Sequence, residues 1–147
     1  MGYEMVMTLN TAYPGKLSYD KDWHFTFISA VGPLITLLQG FVFYLLIKKT
    51  HRKNLFPFLF SCFYVELLSG IMNVSKPNDL GRIGRSFELG LFTLPVIFIL
   101  IHLFMMYRTS RREQYSRNFL IFSFIMILIF SSIWILTNQQ INIVLIR

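Results

Sequence analysis

Residues Phe25 to Ile47, FTFISAVGPLITLLQGFVFYLLI, run for 23 positions without a charged side chain. At 1.5 Å of rise per residue, a helix of that length covers the ~30 Å hydrocarbon layer of a bilayer. The same reading extends along the chain. Leu55 to Val74 gives 20 residues with Glu66 as the single charge, Leu89 to Tyr107 gives 19, and Asn118 to Thr137 gives 20. These blocks hold 82 of the 147 residues and leave too little polar sequence for a separate soluble domain. The composition agrees, with 54% apolar and 14% charged positions, where soluble domains carry about a quarter charged. Lipid offers backbone groups no partners, and continuous apolar runs do not alternate as barrel strands do. The expectation is an all-α membrane protein of one domain, 1–147, with four transmembrane helices at about 25–47, 55–74, 89–107 and 118–137.

Lys and Arg total 14 against 7 Asp and Glu. The cations flank the apolar blocks rather than forming a basic arm, which argues for the lipid bilayer and anionic lipid headgroups as partners and against nucleic acid. Lys48, Lys49, Arg52, Lys53, Arg108, Arg111, Arg112 and Arg117 all fall in the loops at 48–54 and 108–117, which four spans place on one side. The positive-inside rule makes that side cytoplasmic, by eight cations to six. Trp23 and Tyr107 stand at span boundaries, where amphipathic rings favour the interface. The first 22 residues contain Glu4, Asp20 and Asp22 and show no cleavable signal, so the first span is expected to direct its own insertion. Alternation from Tyr3 to Asn10, followed by Tyr13-Pro14-Gly15, predicts a short β-hairpin on the membrane surface. The apolar tail Ile141 to Ile146 is equally open to a fraying helix or a docked strand. Cys62 is the single cysteine, which excludes an intrachain disulfide.

Polar residues within the spans carry the functional information, because lipid disfavours them. Cys62, Glu66, Ser69, Gly70 and Asn73 recur at helical spacing and share one face of the second span. That face is expected to look into the bundle. By helix rise Glu66 lies roughly 12 Å and 18 Å from the two surfaces. A central acid at that depth is protonated, hydrogen-bonded to a neighbouring helix, or faces water. It serves either as interhelical glue or as a site. The first span has its own stripe of Ser29, Gly32, Thr36, Gln39 and Gly40, suited to close helix approach. Pro33 and Pro95 each remove a backbone donor and predict kinks.

Three histidines invite a metal reading. His24 and His51 lie on opposite sides, however, and His102, roughly 8 Å from the surface nearest His51, differs in expected depth from Glu66 by roughly 10 Å. No two of these three histidines and Glu66 have the i, i+4 spacing of helical metal ligands. The chain has no HExxH, GxSxG, Walker loop or CxxC, so no catalytic motif is complete.

The run Ser29-Ala30-Val31-Gly32-Pro33-Leu34-Ile35-Thr36-Leu37-Leu38-Gln39-Gly40 resembles the Gly-Pro-initiated helix of site-2-protease-like intramembrane zinc metalloproteases. In that family the next helix leads through an Asn- and Pro-containing run to an Asp-Gly pair whose Asp binds zinc. This chain has Asn73-Val74-Ser75-Lys76-Pro77-Asn78-Asp79-Leu80-Gly81, with Leu80 between Asp and Gly. The family's HExxH helix, which supplies two zinc ligands and the general base, has no counterpart in the sequence. The likeness covers roughly residues 3 to 107. It implies the second half of such a core, without catalysis of its own. Asp79 would be a zinc ligand only if another segment supplied the rest, since catalytic zinc takes about three protein ligands. Asn73 would orient a substrate strand. Ordinary turn chemistry is the competing reading, with Asn78 or Asp79 capping a helix that begins near Gly81.

Three functions remain open on the sequence. One is a protease-like membrane domain that binds a partner chain or substrate segment through the Glu66 face and the 73–83 loop, with Ser69, Asn73, Gln39 and His102 as further candidate binding residues. A second is a small proton- or cation-coupled transporter or channel subunit, functioning as a homo-oligomer, with Glu66 as the coupling acid. The third is a structural subunit packed against other membrane chains.

Overall fold

The structure is a computed structural model that describes residues 26–133 and Thr137, together with the helical backbone flanking them. The expected hairpin between Tyr3 and Gly15, and the tail after Ile141, lie outside the described residues. Every element among those residues is helical. In order they are α1 (Asp22–Thr50), a 3-10 turn (Lys53–Leu55), α2 (Phe56–Met72), α3 (Asp79–Ser86), α4 (Thr93–Arg112) and α5 (Arg117–Ile141).

Three helices are long and apolar enough to cross a membrane: Thr26–Thr50, Lys53–Met72 and Thr93–Arg112. The described part of the expected fourth span, Arg117–Ile133, is a shorter apolar helix. The third span is shifted from its expected 89–107. Residues 89–92 belong to the turn that follows α3, where Gly90 takes φ +91°, and the helix continues past Arg108 to end with Arg111 and Arg112 in its last turn. Cations at that end meet the partial negative charge of the unpaired carbonyls, which is why a run of arginines prolongs the helix instead of stopping it.

The turns have local causes. His51 (φ 54°) and Gln114 (φ 51°) adopt left-handed backbone just past the ends of α1 and α4. There the N–H of His51 closes on the Ile47 carbonyl at 2.9 Å and reverses the chain. Pro57 stands in the first turn of α2, where its missing N–H is no loss. The same holds for Pro95, third residue of α4, so the kink expected there does not arise. Pro33 is accommodated inside the continuous α1.

Helices α1, α2 and α4 pack on one another, α3 lies against α1 and α4, and α5 packs on α2. Toward the 48–54 end, Ile47, Phe56, Leu59 and Met105 form a buried apolar cluster. The aromatic stripe of α2 faces α5, with Phe60 and Phe124 rings 5.9 Å apart and Ser131 donating to the Tyr64 hydroxyl at 3.4 Å. The outer faces of α1 and α4 remain exposed and apolar, with Leu38 at 61% and Phe104 at 58% of full exposure.

Candidate functional site

The polar face of α2 does look inward. Cys62, Glu66, Gly70 and Asn73 are buried, and Ser69 is half-buried. The reason is packing against α4. A β-carbon at Gly70 would stand 2.8 Å from Ile99 Cδ1 and 3.8 Å from Pro95, so the missing side chain lets the helices meet closely. Glu66 is 3% exposed and its Oε2 has no hydrogen-bond partner. The chain's own helices therefore cover the face that the sequence offered to a partner.

His102 is fully buried on α4. Its Nδ1 donates to the Phe98 carbonyl at 2.9 Å, one turn back, which leaves Nε2 as a buried nitrogen without a partner. Gly40 of α1 makes the room for this ring. A β-carbon there would lie 2.8 Å from Nε2. From the Gly70–Ile99 crossing of two antiparallel helices, Glu66 is four residues back along α2 and His102 three residues on along α4. Those steps are about 6 Å and 4.5 Å in the same direction, so the two groups lie at levels within about 2 Å of each other. This corrects the roughly 10 Å separation expected from the sequence. The difference arises because α4 runs to Arg112, past the Tyr107 expected to end the third span.

A second polar cluster builds the connection from α2 to α3. The Asn73 side-chain oxygen accepts from the Asn78 N–H at 2.7 Å, and its amide group donates to the Ser69 carbonyl at 3.3 Å. The Asn78 amide also donates to the Ser69 carbonyl, at 3.4 Å, and to the Ser69 hydroxyl. Asn78 is the N-cap of α3, with its oxygen accepting from Asp79 N at 2.7 Å. The cap is thus Asn78, and the helix begins at Asp79. Asn73 is wholly engaged in this turn, so it holds the chain's own backbone. Leu80 and Ile83 bury one face of α3, while Arg82 and Arg85 line the other.

Asp79, half-buried in the first turn of α3, sits against α1. Its Oδ2 lies 3.9 Å from where a β-carbon of Gly32 would stand. Burial pushes its carboxyl above the usual range, and the nearby Arg82 guanidinium pulls it part of the way back. Gly32 is exposed at this contact, so the notch between α1 and α3 is open on one side. Among the described residues, no three His, Cys, Asp or Glu side chains are grouped to hold a metal ion.

The candidate residues therefore separate. Glu66 and His102 share a level in the bundle, Ser69 and Asn73 belong to the α2–α3 turn, and Asp79 lies beside α1. Gln39 is exposed and joins none of them. Sequence reading missed the pairing of Gly40 with His102 and the buried Gly84, whose α-carbon faces the Gly90 carbonyl. A helical pattern of small residues was the available signal for Gly40, but it did not identify the partner ring. No family model, curated protein or solved structure matches the chain.

Proposed function

We propose that this is a multi-pass integral membrane protein equivalent to the part of a site-2-protease-like core that follows the HExxH helix. It does not catalyse alone and is completed by another segment. The carrying observation is that α3 packs on α1 with the Asp79 carboxyl beside Gly32, which brings together the two stretches on which the resemblance rests. The exposure of Gly32 leaves that notch accessible to a further helix or strand. Leu80, the residue that departs from the family's Asp-Gly pair, is buried, and Gly81 keeps the close approach to Asn73. Asp79 would be the one zinc ligand from this chain, the others would have to come from the completing segment, and the metal would supply an activated water. In this reading α5 is the fourth span, and the loops at 48–54 and 108–117 are cytoplasmic.

The test is affinity purification of the natively expressed chain with peptide sequencing and elemental analysis. The expected result is an HExxH helix, upstream on the same polypeptide or on a co-purifying one. Zinc should be near one per complex and lost in Asp79→Ala. A chain purified without either overturns the reading.

The second reading, a proton- or cation-coupled subunit, is favoured by a different observation: Glu66 Oε2 and His102 Nε2 are both buried and unpartnered at one level. Proton flux into vesicles holding the purified chain, abolished by Glu66→Gln, supports it. Absence of flux in the wild-type chain rejects it.

A further inference from the structure

The connections after α1 and after α4 meet at one end of the bundle. Arg112 Nη2 donates to the Lys48 carbonyl at 3.4 Å, and His51 Nδ1 donates to Glu113 Oε2 at 3.0 Å. Between them is an open cleft of about 660 Å³, lined by Arg52, Lys53 and Asn54 from the first connection and by Gln114, Tyr115, Ser116 and Phe119 from the second connection and the start of α5. Eight Lys and Arg side chains surround it in sequence, and all of them are exposed. Among the described residues the one acid at this end, Glu113, is only 11% exposed and is held by His51 and by Arg112 at 3.6 Å. Its charge is therefore already countered, and the cleft presents cations to solvent. Ser116 caps α5, accepting from Phe119 N at 3.3 Å, so the positive end of that helix dipole also opens here. Below the polar rim, the Tyr115 ring packs on Phe56 at 5.0 Å and on Phe119 at 5.1 Å.

We infer that this cleft binds the phosphate of an anionic lipid headgroup. The cations give the charge, and the Tyr115 and Phe119 rings, backed by the buried Phe56, give an apolar surface for the glycerol and first acyl carbons. The position at the ends of apolar helices places the site at headgroup depth. The inference rests on the membrane reading but not on the protease-like one.

The test uses the full chain reconstituted in phosphatidylcholine vesicles with and without phosphatidic acid, and reads lipid retained per chain by native mass spectrometry. We expect one phosphatidic acid retained by the wild-type chain. Arg52→Ser/Lys53→Ser should weaken retention by about thirtyfold, while Lys76→Ser/Arg85→Ser, at the other end of the molecule, should leave it unchanged. Equal loss in both variants, no retained lipid, or glycerol 3-phosphate binding as tightly as the lipid would overturn the inference. Alkaline extraction of the same vesicles separates the two levels. A chain that resists extraction but retains no lipid refutes this site alone, and a chain that is extracted refutes membrane integration.

Discussion

The side-chain oxygen of Asn73 accepts the Asn78 N–H at 2.7 Å and stands against the place that a β-carbon of Gly81 would occupy. One buried amide thus sets both the turn out of α2 and how closely α3 can approach. Asn73→Ala leaves the Asn78 N–H without this acceptor, at a cost of about 1–3 kcal/mol. Thermal unfolding in detergent should register it as a lower Tm, and an unchanged Tm would show that the turn is held elsewhere.

Gly84→Ala should be more damaging than Gly81→Ala. The added carbon at 84 meets the Gly90 backbone carbonyl, which moves only if the whole α3–α4 turn moves, whereas that at 81 meets side chains of Asn73 and Leu91. Overpacking of this kind costs about 1–3 kcal/mol, and more where backbone must shift. Comparing the two variants' denaturation midpoints checks the order.

Gly40→Ala drives a carbon to 2.8 Å from His102 Nε2. The clash disappears once the ring is gone, so Gly40→Ala should be less harmful in a His102→Ala background. A double-mutant cycle should give a coupling of about 1 kcal/mol or more. Additive effects would mean that the two residues are not in contact.

The Tyr115 hydroxyl is buried without a partner. Burial, and then the charge of Glu113, push its ionisation upward, so it stays neutral at physiological pH. Tyr115→Phe keeps the ring packing and removes an unsatisfied group. It should be neutral or stabilising by up to about 1 kcal/mol, and a clear loss of stability would reveal a partner for the hydroxyl.

Asp79 has its carboxyl raised by burial. Its protonated form is the one the fold prefers, so its contribution is present below the unfolded carboxylate pKa and is lost as pH rises through the folded value. Asp79→Asn should therefore unfold at a higher temperature than wild type at pH 7, on the order of a degree or two. The difference should close as the pH falls below about 4. A gap independent of pH would rule out the carboxylate as its source.

By itself the sequence determined the helical class, the membrane-length apolar runs and the inward polar face of α2. Those follow from local quantities: the run of uncharged residues and the 3.6-residue period. The Ser29–Gly40 stripe was legible as a close-approach surface, and Asn78 and Asp79 as helix-start chemistry. Only the tertiary structure decided that Glu66 and His102 share a level, because that depends on the register between α2 and α4. Gly70, Pro95 and Ile99 set that register across the interface, and no spacing within one helix encodes it. The same holds for Asn73, whose type fits a substrate-orienting role as well as a turn. Which one it serves depends on where Asn78 and Gly81 arrive, five and eight residues later in the chain. Residues 48–54 and 108–117 carry their charge plainly in the sequence, but the cleft between them exists because two left-handed turns at His51 and Gln114 fold both connections to one end of the bundle.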